Sequence, residues 1–374
     1  ALSEVGRSAG NLYAVSTVAS VVAALLTGFV LIPSLGVSRF LLVIGVLLLL
    51  AAVLSLLLER GRARGTAAAL AFFVILTGAA PFMGAGNHPG ADTIAFEESP
   101  YAEVRVVDYL DARFLIIDGS IHTFVDKETG GNLFPYVHVI ELARYFYDEP
   151  GELCLIGLGG GTLARKFARA GWEVDAVEID PTVIDFAYEY FLFGRSDADV
   201  FEMDGRRYLQ RCSETYDLIV FDAFGGGNIP FQLVTVEAFA LAASRLEPQG
   251  LLVMNIEAVG WKDIVVRSVA ATLGTHFSNV IALPIAEPPD QVGNVILMAS
   301  NRALELSEEL PIPEYRFSST YDQVHAWENR FEPDVSGVPI LTDDRSPVDL
   351  WAERINFASR RQLHHFFRDA DLRW

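Results

Sequence analysis

The sequence predicts a membrane-spanning helical segment followed by an α/β domain with a mostly parallel sheet. Three observations predict it. Three long uncharged apolar runs fall within the first ninety residues. Beyond about residue 150, short apolar runs alternate with helix-like segments, the pattern of a parallel sheet covered by helices on both faces. Charge divides the chain at the same place. Residues 1–90 hold Glu4 and Glu59 against Arg7, Arg39, Arg60, Arg62 and Arg64, a net +3; with −20 overall, residues 91–374 carry −23. So acidic a domain repels phosphates, which excludes nucleic acid as an expected partner. A hydrophobic content of 51% excludes disorder. Two cysteines, Cys154 and Cys212, exclude a disulfide framework and a Cys-rich zinc module, and both read as small apolar residues near strands. No metal is expected.

Residues 1–85 are read as transmembrane helices at about 12–32, 38–58 and 66–83. Each run approaches the ~20 apolar residues that cross a bilayer. The first carries Ala19, Ala23, Ala24 and Gly28, small residues that let helices approach closely. The lipid bilayer is thus an expected partner. A chain beginning at Ala1 reads as a piece of something longer, and a second copy in a homo-oligomer, or further helices, would complete so thin a bundle. Arg7, Arg60, Arg62 and Arg64 mark one side as cytoplasmic. Three full spans would then put the large domain outside, whereas the chemistry argued below needs it on the cytoplasmic face. The cofactor argument is given precedence.

Residues 86–130 are read as a linker and a small β-domain. Gly84–Ser99, rich in Gly, Pro and acids, is the linker. Tyr101–Val107 and Arg113–Ile117 form a hairpin around Tyr109–Leu110–Asp111. Residues 131–374 are the third part. A helix covers about Leu133–Phe146. Strands are expected at Glu152–Gly157, Glu173–Glu178, Val200–Glu202, Asp217–Asp222 and Leu251–Ile256. Helices fall between or after them at Thr162–Ala170, Thr182–Tyr190, Thr235–Arg245 and Asp263–Leu273. Val280–Leu283 and Val295–Ala299 form a terminal antiparallel pair, and Trp351–Phe367 a last helix.

Ligands of such sheets bind beyond the carboxyl ends of the strands. The first strand there runs into Gly157, Gly159, Gly160 and Gly161, where missing side chains let backbone and ligand meet. Glu178 ends the next strand, about 20 residues on, where an acid accepts both ribose hydroxyl hydrogens. These two features fit nicotinamide, flavin or S-adenosyl cofactors alike. Asp204 follows the third strand and can receive an adenine amino group, or simply cap the helix Arg206–Arg211. Asp222 ends the fourth strand at the catalytic mouth, beside the Gly-rich segment Phe224–Gly227.

At these residues the sequence resembles spermidine synthase, a polyamine aminopropyltransferase, and in particular its membrane-fused branch. The stretches that carry the resemblance include IIDGSIHTF, LIGLGGGTLA, VDAVEIDPTVIDFAYEYF, MDGRRYL, YDLIVFDAF, IPFQLVTVEAF and LTDDRSPVD. The resemblance implies a small N-terminal β-domain before a Rossmann-like methyltransferase sheet of seven mostly parallel strands. It implies decarboxylated S-adenosylmethionine, or S-adenosylmethionine, as co-substrate, held by the glycine turn, Glu178 at the ribose, Asp204 at the adenine, and Asp222. It also makes Asp222 the acid that serves the attacking amine. Several family positions differ. Thr162 stands where the family has an aspartate for the aminopropyl amine, and Gly225 where a second loop aspartate is usual. Ala102 and His122 replace glutamines, and the Tyr-His-Glu that grips the polyamine reads Tyr136–Val137–His138.

Aminopropyl transfer needs a neutral amine and therefore a carboxylate to take its proton. Asp222 is the expected catalytic acid, with Tyr136 beside it. His122, His138 and Phe224 are expected to line the substrate pocket, Phe224 and Tyr136 through cation–π contact. Methyl transfer from S-adenosylmethionine to a membrane-borne or small acceptor is the alternative, with His122 or His138 as base. A non-enzymatic polyamine or nucleoside sensor is the third possibility.

Overall fold

The computed structural model describes residues 2–58, 91–223, 229–285, 291–307, 309–311 and 318–369. The chain forms two compact units, one of residues 1–89 with 98–102, the other of 90–97 with 103–374.

In the first unit, α1 (Leu2–Leu26) runs through a π-turn at Thr27–Leu31 into α2 (Ile32–Leu35). Pro33 has no N–H for the carbonyl one turn back, which accounts for the loosened turn before it. Gly36, at φ +76°, breaks the helix before α3 (Val37–Leu58). Gly10–Leu31 is long and apolar enough to cross a membrane. The third expected span, 66–83, lies outside the described residues.

The second unit holds two sheets. The smaller is antiparallel, in the order β1 (Ala91–Glu98), β2 (Glu103–Tyr109), β3 (Ala112–Ile117), β4 (Ser120–Asp126). The β2–β3 hairpin turns at Leu110–Asp111 as expected, with Leu110 at φ +54°. Two strands of this sheet depart from the sequence reading: β1 falls within the expected linker Gly84–Ser99, and β4 is a strand that the sequence pattern does not predict. Alternation along β2 to β4 gives the sheet two apolar faces. Val104, Val106, Leu115 and Val125 pack on Val183, Phe186 and Phe191. Val107, Phe114 and Ile116 form the opposite cluster with Phe124.

The larger sheet has seven strands in the order β10-β11-β9-β8-β5-β6-β7. They are β5 (Glu152–Ile156), β6 (Glu173–Glu178), β7 (Asp199–Glu202), β8 (Tyr216–Phe221), β9 (Leu246–Val259), β10 (Asn279–Pro284) and β11 (Val292–Ser300). β7, β6, β5, β8 and β9 are parallel; β11 runs antiparallel to β9, and β10, antiparallel to β11, points the same way as the other five. This is the Rossmann-like methyltransferase arrangement, behind an N-terminal apolar helix and an antiparallel sheet.

Period-two alternation fills both faces. Cys154, Ile156, Ile219, Phe221, Leu252 and Met254 point to the layer of α7 (Gly205–Arg211), α8 (Val236–Arg245), α9 (Ile264–Leu273) and α11 (Val348–Asp369). Leu153, Leu155, Leu218, Val220, Leu251 and Val253 meet α4 (Pro135–Glu141), α5 (Thr162–Arg169), α6 (Pro181–Tyr190) and α10 (Ser319–Glu328). The sequence reading lacked α10. Its Gln323 donates to the His138 carbonyl oxygen at 3.0 Å, which ties it to α4. The connection from β5 leads to β6 on one side, and that from β8 leads to β9 on the other. The switch point, where ligands of such sheets bind, therefore lies between the carboxyl ends of β5 and β8.

Candidate active site

Gly157 and Asp222 meet at that switch point. Gly157 has φ +99°, and a Cβ there would lie 2.3 Å from the Asp222 carbonyl oxygen, so no larger residue fits. The glycine turn is shaped as much by its neighbours as by any ligand. A Cβ on Gly160 would meet Thr123 and Phe191, and one on Gly161, at φ +71°, would meet Phe193. Gly159, at φ +54°, lies against Thr123. The Gly160 N–H donates to Thr123 Oγ1 at 2.8 Å, so β4 of the small sheet holds the turn. Nothing in the sequence had singled out Thr123.

Glu178, half-buried at the end of β6, accepts from three backbone amides: Leu158 N–H at 3.0 Å, Ile179 N–H at 2.8 Å and Asp180 N–H at 3.1 Å. Burial raises its pKa, and these three bonds oppose the rise. A carboxylate offers about four acceptor positions. Three of those on Glu178 are taken, Oε1 by two amides and Oε2 by one, so Oε2 keeps room for one hydroxyl rather than the expected pair. Asp204 caps α7, accepting from Arg207 N–H at 2.9 Å, and stays partly exposed. The cap reading and the adenine reading are compatible, since one oxygen serves the helix. The donor set thus fits an adenosyl group: a glycine turn and two accessible carboxylates on adjacent strand ends.

Asp222 is the centre of a polar cluster. Asn255, from the middle of β9, donates its Nδ2 to Asp222 Oδ1 at 2.9 Å, and Asn294 of β11 donates to Asn255 Oδ1 at 2.9 Å. Tyr136 of α4 donates its hydroxyl to Asp222 Oδ2 at 3.4 Å. Burial pushes the Asp222 carboxyl up to about 7, against the lowering effect of the Asn255 and Tyr136 bonds. Burial, and then the Asp222 charge, hold the Tyr136 hydroxyl well above its usual range. A carboxyl poised near neutrality at a switch point is suited to taking a proton. The sequence pointed to Asp222 and Tyr136 but not to Asn255 or Asn294. An Asn inside the apolar run Leu251–Ile256 was the available signal.

The remaining expected residues disperse. His122 lies at the irregularity of β4 where the β3–β4 register shifts and it has no strand partner; two residues on, the Phe124 ring stacks on Phe114 and meets Phe134, which in turn meets Tyr136. Burial pushes the His122 imidazole down to about 4, so it is neutral at pH 7. His138 turns to α10: its Nδ1 lies 2.8 Å from Asp322 Oδ2, and its Nε2 3.4 Å from Asn132. That pair fixes α4 to α10 rather than lining the Asp222 cluster. Thr162 is buried at the start of α5. Phe224 and Gly225 lie outside the described residues. Cys154 is buried with a raised pKa, Cys212 partly exposed, and both are free thiols. Among the described residues no group of three His, Cys, Asp or Glu could hold a metal ion.

Comparison with known proteins bears on this geometry. A family model described as the spermine/spermidine synthase domain matches residues 115–306. A probable polyamine aminopropyl transferase of Bifidobacterium longum is 28% identical over 222 residues, covering 54% of this chain and 49% of that protein. A polyamine aminopropyltransferase of Vibrio vulnificus is 34% identical over 179 residues, covering 44% and 60%. The chain therefore spans about half to three-fifths of the length of these relatives. A crystal structure of a probable spermidine synthase from Corynebacterium glutamicum superposes with a TM-score of 0.57 at 21% identity, over 68% of this chain and 97% of that one. That likeness is one of fold.

Proposed function

Because the chain belongs to the spermine/spermidine synthase family, we propose that it is an aminopropyltransferase in which Asp222 takes the proton of an acceptor amine. The observation that carries this reading is the Asp222 carboxyl at the switch point, bonded to Asn255 and Tyr136 and raised to about 7. Decarboxylated S-adenosylmethionine would supply a carbon made electrophilic by its sulfonium. Glu178 Oε2 would take a ribose hydroxyl and Asp204 the adenine amino group. The amine nitrogen forms a bond to that carbon as the carbon–sulfur bond breaks, its electron pair passing to sulfur to leave a neutral thioether. Asp222 removes the proton from the nitrogen. Tyr136 holds the carboxylate through its hydroxyl, and its ring, next to Phe134, offers a π-face to a cationic group.

Asp222→Asn is expected to retain binding of decarboxylated S-adenosylmethionine in calorimetry while lowering the maximal rate by about 10²–10⁴-fold. High pH should partly restore the rate, because more acceptor is then already neutral. Near wild-type turnover by this variant would overturn the role of Asp222. Methyl transfer is kept as a second reading on one observation: Thr162, buried, leaves that position without a carboxylate for the aminopropyl amine. Tighter binding of the carboxylated cofactor than of the decarboxylated one would favour it. Polyamine binding without turnover of either would favour a sensor.

The apolar helix Gly10–Leu31 supports a membrane-anchored form of this enzyme. Its catalytic unit would face the cytoplasm, where a nucleoside co-substrate of this kind is found.

A further inference from the structure

We propose that Asn294 and Asn255 form a two-amide relay that fixes the orientation of Asp222 and reserves its Oδ2 for the transferred proton. The last clause rests on the aminopropyltransferase reading; the relay itself does not. Asn255 is 2% exposed and flanked along β9 by the buried Met254 and Ile256. A polar amide in such a place needs its partners, since leaving a buried donor or acceptor unpaired forfeits its solvation. Both are present. Asn255 pairs in register with Ile296 of β11, and Asn294 is two residues before Ile296, on the same face and one diagonal step away.

The direction of the relay follows from its chemistry. Asn294 donates to Asn255 Oδ1, which obliges Asn255 to present its Nδ2 to Asp222. Turning the Asn255 amide over would set oxygen against carboxylate oxygen at one end and N–H against N–H at the other. Asp222 Oδ1 is thereby committed as an acceptor. A proton arriving at Asp222 must lodge on Oδ2, the oxygen that faces Tyr136. Tyr136 from α4 and Asn255 from β9 are the polar groups that face this carboxylate among the described residues. Because an N–H donor favours the ionised form, Asn255 also lowers the pH at which Asp222 becomes a base. Asn255 and Asn294 are positioning residues: they touch Asp222, or each other, and not the reacting atoms.

The test uses the full chain in detergent with ¹³C-labelled aspartate. The Asp222 carboxyl is titrated by NMR, and the pH profile of turnover is recorded beside it. Asn255→Leu should raise the Asp222 midpoint by about one pH unit. The acid limb of the rate profile should move with it, while the KM for the co-substrate changes less than about twofold. Asn294→Leu, which frees the Asn255 amide to rotate, should shift the midpoint the same way by less. An unchanged midpoint in folded Asn255→Leu overturns the relay. Should that variant fail to fold, an unchanged midpoint in Asn294→Leu overturns it equally. A shifted midpoint in a chain that transfers no aminopropyl group supports the relay and overturns only the reading of the reaction.

Discussion

Asp222 sets activity and stability against each other. Its carboxyl sits near 7 in the fold and near ~3.9 in an unfolded chain. Between these values the folded protein keeps a proton that the unfolded chain has released. The stability this gives is fully present below about pH 4 and is lost as pH rises through 7. Asp222→Asn keeps the same neighbours, with an oxygen for Asn255 and an N–H for the Tyr136 oxygen, and never carries the buried charge. It should therefore melt about 3–6 °C higher than the parent at pH 8 and close to it at pH 4. Calorimetry at the two pH values checks this, and an equal gain at both would refute the electrostatic cause. Asp222 was legible in the sequence because it ends an unmistakable apolar strand. Asn255, Asn294 and Thr123 were not, because each acts across strands far apart in the chain. Glu178 was legible as an acid at a strand end, but its three amide partners depend on how the turn folds back, which spacing does not encode.

The buried parallel strands β5, β6 and β8 were the most legible elements. Sheets covered on both faces need apolar residues throughout, so these strands read as continuous hydrophobic runs. β1 and β4 belong to a half-covered sheet. Their sequences ADTIAFEE and SIHTFVD mix polar and apolar residues and resemble loops. The polar helix α10 was lost for the same reason. The amino-terminal edge of the large sheet carries another consequence of packing. Glu152 and Glu173 face each other across the β5–β6 pair, and Asp217 of β8 accepts from Glu152 N–H at 2.9 Å. Together with burial, their mutual repulsion raises the pKa of Glu152. Glu173→Lys should turn that repulsion into attraction and raise the melting temperature by about 1–3 °C at low salt. The gain should shrink at ~1 M salt. A gain that does not depend on salt would point to some other cause.

At the scale of the whole chain, charge and hydropathy separate an apolar first unit from an acidic second one, and that division was legible from composition alone. Flotation tests what the apolar part does. The full chain mixed with neutral lipid vesicles should float with them and resist both high salt and alkaline carbonate, as an inserted helix does. Release by carbonate would refute insertion. Within the second unit, Thr123 ties the two sheets at the point where the ligand is expected, and this bears on how the protein can be taken apart. A designer who grafts only the seven-stranded sheet into a new scaffold inherits a buried Gly160 N–H with no oxygen to receive it, and a turn that has lost its outer wall. The smallest transplantable pocket therefore starts upstream of the glycines, with the hairpin that delivers β4. A lineage that discarded that hairpin would have to invent another latch before it could keep the same turn.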